Sequence, residues 1–160
     1  MGGNGSYSYF ISNSLGSYTK DRYKQVDSIG SVKVVTVTTQ DNMKTPMNSF
    51  TAKMYYVTAP ENPNQIRAIA FYNEKTHKIK KSIDIEYNDD GSLKALRQFT
   101  HKGKTKTEGV HVHKWSSNES GDSERKRHDK SNVHEPTKTD MIYIRRAIRY
   151  NQRKVKENGR

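Results

Sequence analysis

A chain of 160 residues, 31% hydrophobic and 29% charged, is the length of one domain with room for only a modest core. Lys and Arg total 29 against 17 Asp and Glu, a formal charge of +12, so polyanions and nucleic acid first are the expected partners; the plainer alternative is charge that keeps a soluble protein dispersed. The absence of cysteine excludes disulfides, a thiolate nucleophile and a sulfur-rich zinc site, and no run approaches the roughly 20 apolar residues of a membrane span or the pattern of a signal peptide, so a cytoplasmic protein with no membrane partner is expected.

Residues 1–31, rich in Gly, Ser, Asn and Tyr, bury little and are expected to be a mobile N-terminal segment. Residues 32–115 then read as an antiparallel sheet. VKVVTVTT (32–39) and SFTAKMYYVT (49–58) are dense in β-branched and aromatic residues, and APENPNQ (59–65) reads as a loop. IRAIAFYN (66–73) and KIKKSIDIEYN (78–88) flank a short polar turn, as a hairpin does. In the second of these, Ile79, Ile83, Ile85 and Tyr87 fall on one face, with Asp84 and Glu86 on the other, read as solvated. DDG marks a turn, SLKALRQFTH is ambiguous in period, and EGVHVHKW (108–115) closes an antiparallel meander.

Residues 116–138 are polar and charged, a long loop. In 139–158, Met141, Ile144, Ala147 and Ile148 form the stripe of an amphipathic helix, with Thr139 or Asp140 as its cap and Gly159 as its stop. Arg145, Arg146, Arg149, Arg153 and Lys154 make a basic ridge on the other side, which suits phosphate contact or a solvated face equally. The fold class is therefore α+β: an antiparallel meander with one C-terminal helix packed on the sheet.

Chemistry concentrates near the end of the meander. Five of the six histidines, His101, His111, His113, His128 and His134, lie in the last 60 residues, with Arg125, Lys126 and Arg127 among them. On a strand, His111, His113 and Trp115 share one face while Val110 and Val112 share the other, so the valines are expected in the core and the histidines on the accessible side. Three readings compete. His111 and His113 with His128 or His134 can ligate a divalent ion; the histidines can be acid and base for phosphodiester cleavage, with Arg125 or Arg127 stabilising the phosphate; or they can be structural, or stack on bases beside Trp115. No nucleophile elbow, phosphate loop or dinucleotide fingerprint is present in the sequence.

The order AFYNEKTHKIKKSIDIEYNDDGSLK followed by FTHKGKTKTEGVHVHKW resembles the cytosol-acting toxin domains found at the ends of polymorphic toxins and in phage gene neighbourhoods. The matching positions are Asp84, His101, His111, His113 and Trp115, with Arg127 and His128 meeting a general expectation of a basic residue and a histidine downstream. This resemblance covers about half the chain. It implies a fold similar to the barnase, EndoU, colicin and RelE group of metal-independent ribonucleases, cleavage of RNA through its 2′-hydroxyl without a cofactor, and a neutralising immunity protein as partner.

The expectation from sequence is a nucleic-acid-binding protein of phage or mobile-element type acting on RNA or DNA. Its enzymatic version uses His111, His113, His128 and Arg127. Its binding version uses Trp115, Arg125, Lys126 and the helix ridge, either on nucleic acid directly, on a host ribonucleoprotein as an anti-CRISPR inhibitor would, or on packaged DNA as a virion component.

Overall fold

The computed structural model describes residues 6–12, 18–37, 45, 46, 49, 52–117, 123, 124 and 132–158. A mixed, mostly antiparallel sheet of seven strands carries one C-terminal helix on one face, an α+β architecture. The strands are β1 (Ser6–Ser12), β2 (Tyr18–Ile29), β3 (Val32–Val37), β4 (Met54–Ala59), β5 (Asn62–Tyr72), β6 (Ile79–Asp84) and, after an excursion, β9 (His111–Lys114), in the order β1-β2-β3-β4-β5-β6-β9. The excursion is the hairpin β7 (Arg97–His101) and β8 (Lys104–Glu108), which pairs with itself. Short strands β10 (Ser116–Ser117) and β11 (Ser123–Glu124) pair with each other, and α1 spans Lys138–Asn158.

Two features depart from a simple meander. Strands β3 and β4 pair parallel, Val34 opposite Tyr56, and residues 1–31, expected to be mobile, supply β1 and β2. The sheet thereby gains a partner for β3, and Tyr23 from this stretch is fully buried. The buried Tyr23 ring anchors this stretch in the sheet despite its Gly and Ser content. Part of the expected 59–65 loop is strand as well, since β5 begins at Asn62, with Pro63 at its exposed start where a missing N–H costs little.

Both faces of the sheet are covered, which is why the central strands read as almost continuous apolar runs. On one face Val34, Tyr56, Ile69, Ile83, Ile85, Val110 and Val112 pack under Ile144, Ala147 and Tyr150 of α1. On the other, Tyr23, Val35, Val37, Tyr55, Val57, Tyr72, Ile79 and Trp115 surround the small Ala68 and Ala70, whose size leaves room for the rings. The Tyr55 ring stands edge-on to Tyr72 at 5.4 Å between centroids, and Tyr72 donates its hydroxyl to the Pro46 carbonyl at 2.7 Å.

The helix is fastened at its N-terminus and again further along. Thr137, not Thr139 or Asp140, is its cap: the Asp140 amide donates to Thr137 Oγ1 at 3.1 Å, and the Thr137 amide returns a bond to Asp140 Oδ2 at 2.9 Å. Asp140 is buried and also takes the Lys81 ammonium from β6. Further along, buried Asn151 accepts from the Ile66 amide and donates to the Tyr87 hydroxyl, both at 2.8 Å, and Tyr87 donates to the Ile66 carbonyl. This closed set serves the backbone of β5 where its register slips by a bulge.

Candidate metal centre and arginine face

Asp84 on β6 lies opposite His111 on β9, and Ser82 opposite His113. Alternation along both strands turns Asp84, His111, His113 and Trp115 to the face away from α1. That face is not accessible there. Asp84, His111 and His113 are 2%, 2% and 0% exposed, which corrects both the solvated aspartate and the exposed histidines expected from the sequence. The physical reason is the second core: alternation assigns a residue to a face, and only the presence of a covering layer decides whether that face is wet.

Each ring is aimed by a backbone carbonyl. His111 Nδ1 lies 2.7 Å from the Gly109 carbonyl, and His113 Nδ1 lies 2.9 Å from the Asn132 carbonyl. A carbonyl can only accept, so both Nδ1 atoms carry their protons and both Nε2 atoms turn inward. The two Nε2 atoms are 3.1 Å apart, and each is 3.3 Å from Asp84 Oδ2. The rings meet at 86°, edge to face. Among the described residues these three are the group whose nitrogen and carboxylate oxygen atoms converge as metal ligands would.

Local backbone builds this geometry. Gly109 has φ +85°, and a Cβ there would lie 1.9 Å from the Ala95 carbonyl oxygen, so only glycine fits at the entry to β9. Its amide donates to Glu86 Oε2 at 3.1 Å, which gives Glu86 a task other than solvation. Asn132 is held in turn: its side-chain oxygen takes the Lys114 amide at 2.9 Å, and Val112 and His134 exchange backbone bonds at 2.8 and 3.0 Å.

Other residues singled out in the sequence fall elsewhere. Trp115 is 9% exposed within the second core and donates from Nε1 to Ser82 Oγ at 3.2 Å, so it offers no open ring for base stacking. His134, expected as a third metal ligand, is tied in through its backbone, and Asp84 takes the third place in the convergent set. His101 is exposed on the separate β7–β8 hairpin. Arg125, Lys126, Arg127 and His128 lie outside the described residues.

The second feature is on the opposite side of the sheet. Arg145, Arg146, Arg149 and Arg153 are exposed on α1. Arg146, Arg149 and Arg153, with Ile29, Gly30 and Tyr150, line an open groove of about 420 Å³ between the helix and the β2–β3 turn. Gly30 makes that turn at φ +60°, and its missing side chain leaves the groove wall low. Arg146 lies over the Tyr143 ring at 5.6 Å and close enough to the Tyr56 hydroxyl to oppose the upward push that burial gives its pKa. Lys154 is not part of an open ridge: its ammonium lies 2.6 Å from Asp27 and 3.4 Å from Glu157. Its pKa is raised chiefly by the hydrogen bond to Asp27.

No protein-family model, no curated protein and no solved structure matches the chain.

Proposed function

We propose that this protein binds the phosphates of nucleic acid through the exposed arginine face of α1. The observation that carries the reading is the groove in which Arg146, Arg149 and Arg153 stand together on successive turns beside the β2–β3 turn. Positions three and four apart on a helix are neighbours, so Arg146 and Arg149 can present their guanidinium groups to one anion. Guanidinium suits that anion: its planar fork meets phosphate oxygens two at a time. The excess of 29 basic over 17 acidic residues supplies the long-range attraction.

Asp27 and Glu157 engage Lys154 and sit 4.0 and 3.8 Å from Arg153, so phosphate binding falls mainly to Arg145, Arg146 and Arg149. Cleavage of a bound strand by His111 and His113 draws no support from rings buried on the far side of the sheet, with both Nδ1 atoms committed to carbonyls. No helix of the described residues is long and apolar enough to cross a membrane.

The test is fluorescence anisotropy with labelled duplex DNA, single-stranded DNA and RNA over a series of salt concentrations. Wild type should bind with a log–log salt slope of several units, and Arg146→Gln with Arg149→Gln should flatten it by about 0.7–0.9 for each phosphate no longer bound. Absence of binding, or a slope unchanged in the double variant, would overturn the proposal.

A further inference from the structure

We infer that Asp84, His111 and His113 form a binding site for a divalent transition ion of the zinc class. The argument begins with the carbonyls of Gly109 and Asn132. They hold Nδ1 of each ring as a donor, so both Nε2 atoms face each other and the Asp84 carboxylate. Three atoms of ligand type are thereby held 3.1, 3.3 and 3.3 Å apart in a buried place.

Asp84 Oδ2 is equally distant from both nitrogens, as one ligand of a symmetric coordination face would be.

The triangle has the size of a coordination face. A point equidistant from the three atoms lies about 1.9 Å from each in their plane, and a shift of about 0.8 Å out of that plane brings all three distances to about 2.05 Å, within the Zn–N and Zn–O range. Tetrahedral ligands at that radius stand about 3.3 Å apart. The Nδ1–H to carbonyl bonds are the orienting interactions that ligating histidines ordinarily make. Two nitrogens and one oxygen favour a borderline ion over Ca²⁺ or Mg²⁺, which take oxygen sets.

The ion would join β6 to β9. Through the His113–Asn132 bond it would also reach the segment that pairs with Val112 and leads directly into the Thr137 cap of α1. Loading is therefore expected to stabilise the junction of β6, β9 and the helix N-terminus.

The experiment strips the full chain with a chelator and titrates it with Co²⁺, following the visible bands of tetrahedral cobalt, then with Zn²⁺, following the thermal midpoint. Expected are one equivalent of Co²⁺ with tetrahedral bands, displacement by Zn²⁺, and a midpoint that rises with Zn²⁺ but not with Mg²⁺. Asp84→Asn and His113→Gln should each weaken binding by about tenfold or more. A stripped chain that unfolds and regains its fold only with Zn²⁺ would support the site equally. Wild type showing neither bands nor a Zn²⁺-dependent midpoint would overturn it, whatever the variants do. Unchanged binding in both variants would also overturn it, by placing the ion elsewhere.

Discussion

Asp140 joins the helix to the sheet, and its removal has a calculable cost. Asp140→Ala deletes the side-chain half of the reciprocal bond with Thr137, about 1 kcal/mol for a capping interaction. It also leaves Lys81 without its carboxylate. Breaking a fully buried pair costs about 3–5 kcal/mol, but the Lys81 side chain is 29% exposed and can recover water, so about 1–3 kcal/mol applies here. The expected loss is about 2–4 kcal/mol, or about 4–16 °C in thermal midpoint for a chain of this length.

Urea and thermal unfolding of Asp140→Ala, Lys81→Ala and the double variant would measure it, with a coupling of about 1–2 kcal/mol between the two sites. The pH dependence gives an independent check. Burial pushes the Asp140 carboxyl up, but the Lys81 ammonium and the Thr137 amide and hydroxyl together outweigh it and hold the group below the ordinary carboxylate range. A folded-state pKa below the unfolded value gives stability that is complete above about pH 4 and lost as pH falls through the folded value. The gap between wild type and Asp140→Asn should therefore stay constant from neutral pH to about 4 and close below it. A loss under about 0.5 kcal/mol, additive single variants, or a gap that closes at neutral pH would refute this account of the helix junction.

Gly109→Ala forces a side chain onto the Ala95 carbonyl at a φ of +85°, and should cost about 3 kcal/mol or more while shifting the carbonyl that aims His111; chemical denaturation together with the His111 ring resonances would read both effects. Trp115 is the single tryptophan of the chain, so its fluorescence reports on the second core: emission should be blue-shifted, resist acrylamide, and barely change when oligonucleotide is added. Strong quenching by nucleic acid would return Trp115 to a base-stacking role.

Much of the framework can be read from the amino-acid sequence because its signals are local. The β-branched density of Val32–Val37 and Met54–Ala59, and the three-and-four spacing of Ile144, Ala147 and Ile148, fix element type before any tertiary contact is known. The β7–β8 hairpin is harder to read, since both its faces are largely exposed and carry no periodic apolar signal. Its turn at Lys102-Gly103, both with positive φ, is the available clue.

The candidate centre is half legible. The spacing of His111 and His113 puts them on one face, but the pairing of Asp84 with His111 is a register fact, set by how β6 and β9 align across 26 intervening residues. Burial of that face comes from a cluster drawn from several strands, and a single strand carries no mark of it. The helix ridge is legible as a run of arginines. Which of them are engaged is not, because Asp27 reaches Lys154 from a strand more than 120 residues earlier in the chain.

The most direct measurement of the central claim is a ¹⁵N-resolved NMR titration of the protein with a short oligonucleotide, observing the arginine side-chain Nε–Hε signals and the backbone amides together. The account predicts that Arg145, Arg146, Arg149 and the Gly30 amide shift and saturate together, while the His111, His113 and Trp115 signals on the opposite face stay in place. Shifts confined to that opposite face, with the α1 arginines unmoved, would contradict it.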